Sequence, residues 1–252
     1  MNPASSFDPA ASAAVRRWGT ILIALGGAGV VGALWMVFFY APTEREMGVI
    51  QRIYYIHIPT AWLGEFGYGL LALCSLGYLL LRDERLDAMA VAAAETGFLF
   101  LTATLVAGPL WAKIAWGAWW VWDARLSFTL ILWLLWIGYF MLRDATANPD
   151  TGKRLAAITA LVGAVDLPLI HMSVYWFRTQ HPKPVMMNPE GPTADPEITR
   201  TILACVLAFT LFYFGLLLYR YEYERLKRHV ELLEHSRRAG DGHRSSPAGA
   251  DR

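Results

Sequence analysis

Six long apolar runs alternate with short polar connections along this chain. They cover residues 20–40, 58–81, 86–110, 127–142, 155–176 and 201–219. A helix that crosses a bilayer needs about 20 predominantly apolar residues. The pattern therefore predicts an all-α integral membrane protein, a six-transmembrane-helix bundle. Residues 20–220 form its membrane domain, preceded by a short N-terminus at 1–19. The tail at 221–252 begins as a charged helix with Leu226, Val230 and Leu233 at helical spacing, and its composition from Ala239 onward predicts disorder.

Several details refine the spans. The first carries GGAG at its centre, small residues suited to close helix packing. Runs two and three are joined by RDERLD, which leaves room only for an antiparallel turn. Run three ends at Gly108-Pro109, where the missing backbone donor bends or ends a helix. Run five contains Asp166 and Pro168, and the proline-rich stretch after Phe177 reads as irregular.

Composition agrees with a membrane location, with 56% hydrophobic and only 17% charged residues among 252. No large soluble domain fits beside six spans. The net charge of +1 says little, but its distribution says more. Assigned by the alternation of spans, 15 Lys and Arg lie on the side of the termini and 7 on the other. The positive-inside bias then places both termini in the cytoplasm and segment 111–126 outside, which for a bacterial inner membrane is the periplasm. MNPASSFDPAASAAV lacks a cleavable-signal pattern, so the first span reads as an uncleaved insertion signal. Cys74 and Cys205 fall inside spans and no CxxC or CxxCH is present, which excludes c-type haem attachment to this chain. No nucleophile–base pair or metal-ligand run argues for an enzyme, and nothing points to a nucleic-acid partner.

The segment WAKIAWGAWWVWD, 111–123, places five tryptophans in thirteen positions and ends on a carboxylate. An interfacial aromatic belt explains scattered tryptophans such as Trp35, Trp62 and Trp176. It explains this density, broken by Gly117 and closed by Asp123, poorly. Indoles are flat and amphipathic and suit a flat, apolar ligand. Arg125 and Lys113 could meet ligand carboxylates, and Asp123 could pair with Arg125 or cap span four.

His57 opens span two and His181 lies in the last outer connection, so both share a face with the tryptophans. Each alone reads as a hydrogen-bonded or solvated histidine. Together, beside the indoles, they could ligate the iron of a planar macrocycle. His171 reads as a packed core residue, and His229, His235 and His243 as solvated tail residues. Glu65, Glu95 and Asp166 are costly inside spans and are candidates for function or for pairing with neighbours.

The string from Trp116 to Leu126, WGAWWVWDARL, resembles the tryptophan-rich WWD signature of the haem-handling proteins of cytochrome c maturation. With IYYIHIPTAW around His57, LPLIHMSVYWF around His171 and the later His181, the resemblance is to the haem exporter protein C family, CcmC. It covers about residues 53–220, with Ala118 standing where threonine is usual. The resemblance implies bound haem b, with His57 and His181 as axial ligands. Trp116, Gly117, Trp119, Trp120, Trp122 and Asp123 would form the platform. It implies delivery of that haem to a periplasmic, membrane-anchored haem chaperone during c-type cytochrome biogenesis. It further implies work beside ABC-transporter subunits and a small membrane subunit. The competing reading is a transporter or channel subunit whose aromatic segment is an interfacial anchor without haem.

Overall fold

The computed structural model describes residues 8–45, 47–183 and 194–244. Six of its helical stretches are long and apolar enough to cross a membrane, and no strand occurs among the described residues. In chain order the helices are α1 (Pro9–Trp35), α2 (Tyr54–Leu81), α3 (Glu84–Ala115), α4 (Ala124–Asp144), α5 (Pro149–Ala164), α6 (Asp166–Trp176) and α7 (Pro196–Arg244). A π-helical turn at Met36–Tyr40 ends α1, and a 3₁₀ turn at Val49–Ile53 leads into α2.

The helices extend past the apolar runs because their ends are capped. Asp8 accepts a hydrogen bond from the Ala10 N–H ahead of Pro9, so α1 begins well before the first apolar run. Between α2 and α3, Arg82 takes a left-handed conformation with φ of 56°, and the Asp83 side chain accepts from the Arg85 N–H at 2.8 Å. At the other end α7 continues as helix to Arg244, beyond Ala239 where composition predicts disorder. Extending an existing helix needs no new nucleus. The last eight residues and residues 184–193 of the last outer connection lie outside the described residues.

Small residues set the helix approaches. A Cβ on Gly26 would sit 2.4 Å from the Phe212 backbone nitrogen, and one on Gly67 2.7 Å from the Gly97 Cα. These contacts seat α1 on α7 and α2 on α3. Ala92, Ala93 and Ala94 are fully buried, and Tyr68, Leu71, Trp136 and Tyr213 close the core around α3.

One break shapes the far half of the bundle. Pro168 lacks the N–H that would bond the Ala164 carbonyl and crowds it, so the fifth span splits at Val165. Before the break α5 packs on both α2 and α4. After it α6 keeps α4 as its main neighbour. The helices therefore part towards the end that carries the tryptophans.

Candidate functional site

The parted helices enclose a cavity of about 380 Å³, walled by α2, α3, α4, α6, α7 and the segment at 181–183. Its lining includes both predicted histidines, His57 and His181, together with Trp111, Trp116, Trp120 and Arg125.

His57 lies in the first turns of α2. Its ring packs against Gly108 of α3, where an added Cβ would stand 3.3 Å from Cε1, so glycine lets the imidazole seat. Below it the Thr104 hydroxyl donates to Thr60 at 3.0 Å, and Thr60 donates to the Ile56 carbonyl, tying α2 to α3. The His57 Nδ1 is buried and has no hydrogen-bond partner among the described residues.

The segment after α3 reverses at Gly117, whose φ of +76° favours glycine. The Lys113 ammonium donates to the Gly117 carbonyl at 3.1 Å and lies over the Trp119 ring, so it is engaged outside the cavity. Trp111 and Trp116 meet edge to face at 4.9 Å, as do Trp120 and Trp122 at 5.8 Å. Trp119 and Trp122 stand outside the lining and are 57% and 78% exposed. The predicted platform is thus divided. Trp116 and Trp120 face inward, Trp119 and Trp122 outward, and Gly117 forms the turn between α3 and the paired indoles.

Asp123 has a connecting role. Its Oδ1 accepts from the Leu126 N–H at 2.9 Å and caps α4. Its Oδ2 accepts from the Thr179 hydroxyl at 2.5 Å and from the His181 N–H at 3.4 Å. Of the two expectations for this carboxylate the cap is realised, and the second oxygen ties the segment carrying His181 to the tryptophan segment.

The His181 Nδ1 lies 2.8 Å from the Pro182 carbonyl. A carbonyl only accepts, so Nδ1 carries the proton and Nε2 keeps its lone pair. Burial, helped by the Arg125 charge, holds this imidazole down to about 4, although the Pro182 bond acts in the opposite sense. It is therefore neutral at physiological pH, the form that ligates a metal.

Arg125 sits in the first turn of α4. Its Nη1 is buried without a hydrogen-bond partner, and no carboxylate lies within ion-pair distance among the described residues. A buried guanidinium without a direct partner is costly and invites an anion. Trp120 Nε1 and Trp111 Nε1 are buried donors without partners as well.

Sequence reasoning left two aromatic contributors, Trp111 and Tyr54, out of the platform. Trp111 had been read with the segment but not as lining. Tyr54, three residues before His57 and so on the same helix face, packs at a tilt against Trp111 with ring centroids 5.5 Å apart. Glu65 and His171 also line the cavity, their Oε2 and Nε2 3.4 Å apart. Helical spacing from His57 would have flagged Tyr54 and Glu65, whereas His171 needed the fold. The other intramembrane carboxylates lie elsewhere. Glu95 pairs with Arg220, and Asp166 is buried with Oδ2 unpartnered. The arrangement suits a flat, apolar ligand that bears a metal and carboxylates.

The sequence model of the family described as Heme exporter protein C matches residues 5–236. A Heme exporter protein C of Bradyrhizobium diazoefficiens is 38% identical over 194 residues, which is 77% of this chain and 74% of that protein. One of Haemophilus influenzae is 36% identical over 197 residues, covering 78% of this chain and 80% of the relative. A mitochondrial ccmC-like protein of Marchantia polymorpha, named for cytochrome c biosynthesis, is 31% identical over 198 residues, or 79% and 82% of the two chains.

Proposed function

Since this chain belongs to the haem exporter protein C family, we propose that it binds haem b in the cavity at the tryptophan end of its membrane bundle and delivers it to a membrane-anchored haem chaperone. The receiving pathway is c-type cytochrome biogenesis. One observation carries this reading: a single cavity gathers His57, His181, inward-facing indoles and an unpaired Arg125 guanidinium.

Each part of haem finds a counterpart. His57 and His181 ligate the iron through neutral imidazole nitrogens. The Pro182 carbonyl orients His181 by accepting its Nδ1–H, as acceptors on the far ring nitrogen do for metal-bound histidines. Trp116 and Trp120 offer faces and N–H groups to the macrocycle, and Arg125 receives a propionate. Cys74 and Cys205 are buried away from the cavity, so the haem is held without a thioether, as haem b, and can leave. The exposed pair Trp119 and Trp122 faces the chaperone. The ABC-transporter subunits and the small membrane subunit of the maturation system dock elsewhere on the bundle.

The charge asymmetry supports a cavity on the periplasmic side of a bacterial inner membrane, with both termini cytoplasmic. Trp122→Cys tests this with an impermeant thiol reagent, against a low background because both native cysteines are buried. Reaction from the periplasmic side is expected, and reaction only from the cytoplasmic side overturns the orientation.

The central experiment is optical. Protein purified from haem-replete membranes is expected to show a Soret band and a low-spin spectrum. Absence of any Soret band, before and after haem is added, refutes the proposal.

A further inference from the structure

Glu65 and His171 are not needed to hold haem in the account above, yet both face the cavity. Glu65 follows His57 by eight residues on α2, about 12 Å deeper along the helix axis. His57, Ala61 and Glu65 line the wall at successive i, i+4 positions. His171 comes from α6, just beyond the break at Val165. The two residues meet where α2 and α6 begin to part.

One hydrogen bond and one ion-pair contact at His171 determine where a proton lies. Its Nδ1 is 3.3 Å from the Leu167 carbonyl, one helical turn back. The carbonyl cannot donate, so Nδ1 carries hydrogen. That directs Nε2 at the Glu65 Oε2, 3.4 Å away. A bare nitrogen facing a bare carboxylate oxygen would oppose two lone pairs inside the membrane. The contact is favourable only with a proton between them, carried as imidazolium beside carboxylate or as carboxylic acid beside imidazole.

The charged and titratable surroundings are few. Arg125 faces the pair from α4, and Asp166 from α6 with its Oδ2 unpartnered. His57 lies on the same helix, with Tyr68 one turn further in, and His181 and Lys183 stand at the cavity end of the last outer connection. The α3 and α7 walls contribute no titratable side chain to the lining. A unit change of charge in the cavity is therefore felt strongly at Glu65 and His171, because little else compensates it in a low-dielectric interior.

We propose that Glu65 and His171 form a proton-holding pair that exchanges one proton with water as the charge of the bound iron changes. The inference rests on the haem reading above. When ferric iron adds positive charge, the pair releases its shared proton to solvent. When an external reductant supplies one electron to the iron, the pair takes one proton back. No other bond forms or breaks.

The test is a spectroelectrochemical titration of the haem-loaded protein from mildly acidic to mildly alkaline pH, with soluble mediators supplying the electron. The native reduction potential is expected to fall as pH rises, because protonation favours the reduced state. Glu65→Gln, which keeps size and polarity, is expected to flatten that slope without loss of the Soret band, and Glu65→Asp to restore part of it. Identical slopes in the native chain and Glu65→Gln overturn the coupling. A second measurement needs no haem. Nitrogen NMR of histidine-labelled, ligand-free protein is expected to show both His171 nitrogens bearing or sharing a proton, with Nε2 losing its share in Glu65→Gln. A bare Nε2 in the native chain overturns the pair itself. A chain that takes up no haem at all defeats the haem reading and the coupling together, while the NMR result still decides whether the pair holds a proton.

Discussion

The two ends of the bundle treat buried charge in opposite ways. At the end near the tail, Asp87 of α3 is almost fully buried and accepts both Arg143 guanidinium nitrogens, at 2.8 and 2.6 Å, and Arg228 at 3.1 Å. Arg228 and Lys153 each reach Glu84 at 2.8 Å. This network joins α3, α4, α5 and α7. At the tryptophan end the Arg125 Nη1 is buried and has no such partner among the described residues. Sequence composition alone makes these arginines look alike. The first set fastens helices together, and the lone one leaves a binding energy unspent until an anion arrives.

The comparison can be broken in several ways, and the largest effect is on the ligand. His57→Ala combined with His181→Ala is expected to abolish the Soret band while the ligand-free protein keeps its unfolding transition. Retained haem would detach the cavity from iron ligation. Asp87→Ala is the matching disruption at the other end. It strands the half-buried Arg143 guanidinium, while Arg228 keeps Glu84, and should cost roughly 3–5 kcal/mol in stability, read from unfolding in mild detergent. Haem affinity in the protein that remains folded should be unchanged. If the double histidine variant proved the less stable of the two, the contrast between binding end and fastening end would fail.

Arg125→Met sharpens the contrast from the other direction. Replacing an unpaired buried charge by an apolar chain of similar length should stabilise the ligand-free protein by about 1–4 kcal/mol and weaken haem binding. A loss of stability would mean that the guanidinium already has a partner. Within the tryptophan segment, Trp120→Ala should weaken haem binding by about 0.5–1.5 kcal/mol, whereas Trp122→Ala should leave it unchanged and slow transfer to the chaperone. Equal losses of affinity at both positions would erase the division between inward and outward indoles.

The smallest effect is a titration. The His181 imidazole in ligand-free protein should titrate near about 4, below the ordinary histidine value of about 6.5. Between those values the unfolded chain binds the proton and the folded chain does not. The contribution of His181 to stability is therefore full above the ordinary value and declines as pH falls towards 4. Nitrogen NMR that finds His181 titrating in the ordinary range would contradict its burial beside Arg125.

Much of the site was legible in the chain. The density of indoles and two histidines on one face singled out His57, His181, Trp116 and Trp120, which the fold gathers around one cavity. The segment was also read as a single platform, because spacing in an irregular loop does not say which way a side chain points. Trp116 and Trp120 turn in and Trp119 and Trp122 out for a reason rooted in Gly117 and the Asp123 cap. Glu65 was marked as costly and left without a partner, since its partner lies more than a hundred residues away on α6.

By itself the sequence determined that six segments cross the membrane and where each one lies. Apolar length against bilayer thickness, and the need of every backbone group for a partner in lipid, leave little alternative. It also determined the chemistry at hand: imidazoles, indoles, and one arginine next to an aspartate. Tertiary structure decided which of these meet. The break at Pro168 parts α6 from α2, Gly108 lets His57 seat, and Asp123 draws His181 across to the tryptophans. Those outcomes depend on contacts between distant segments, and a local pattern carries no record of how far two helices stand apart.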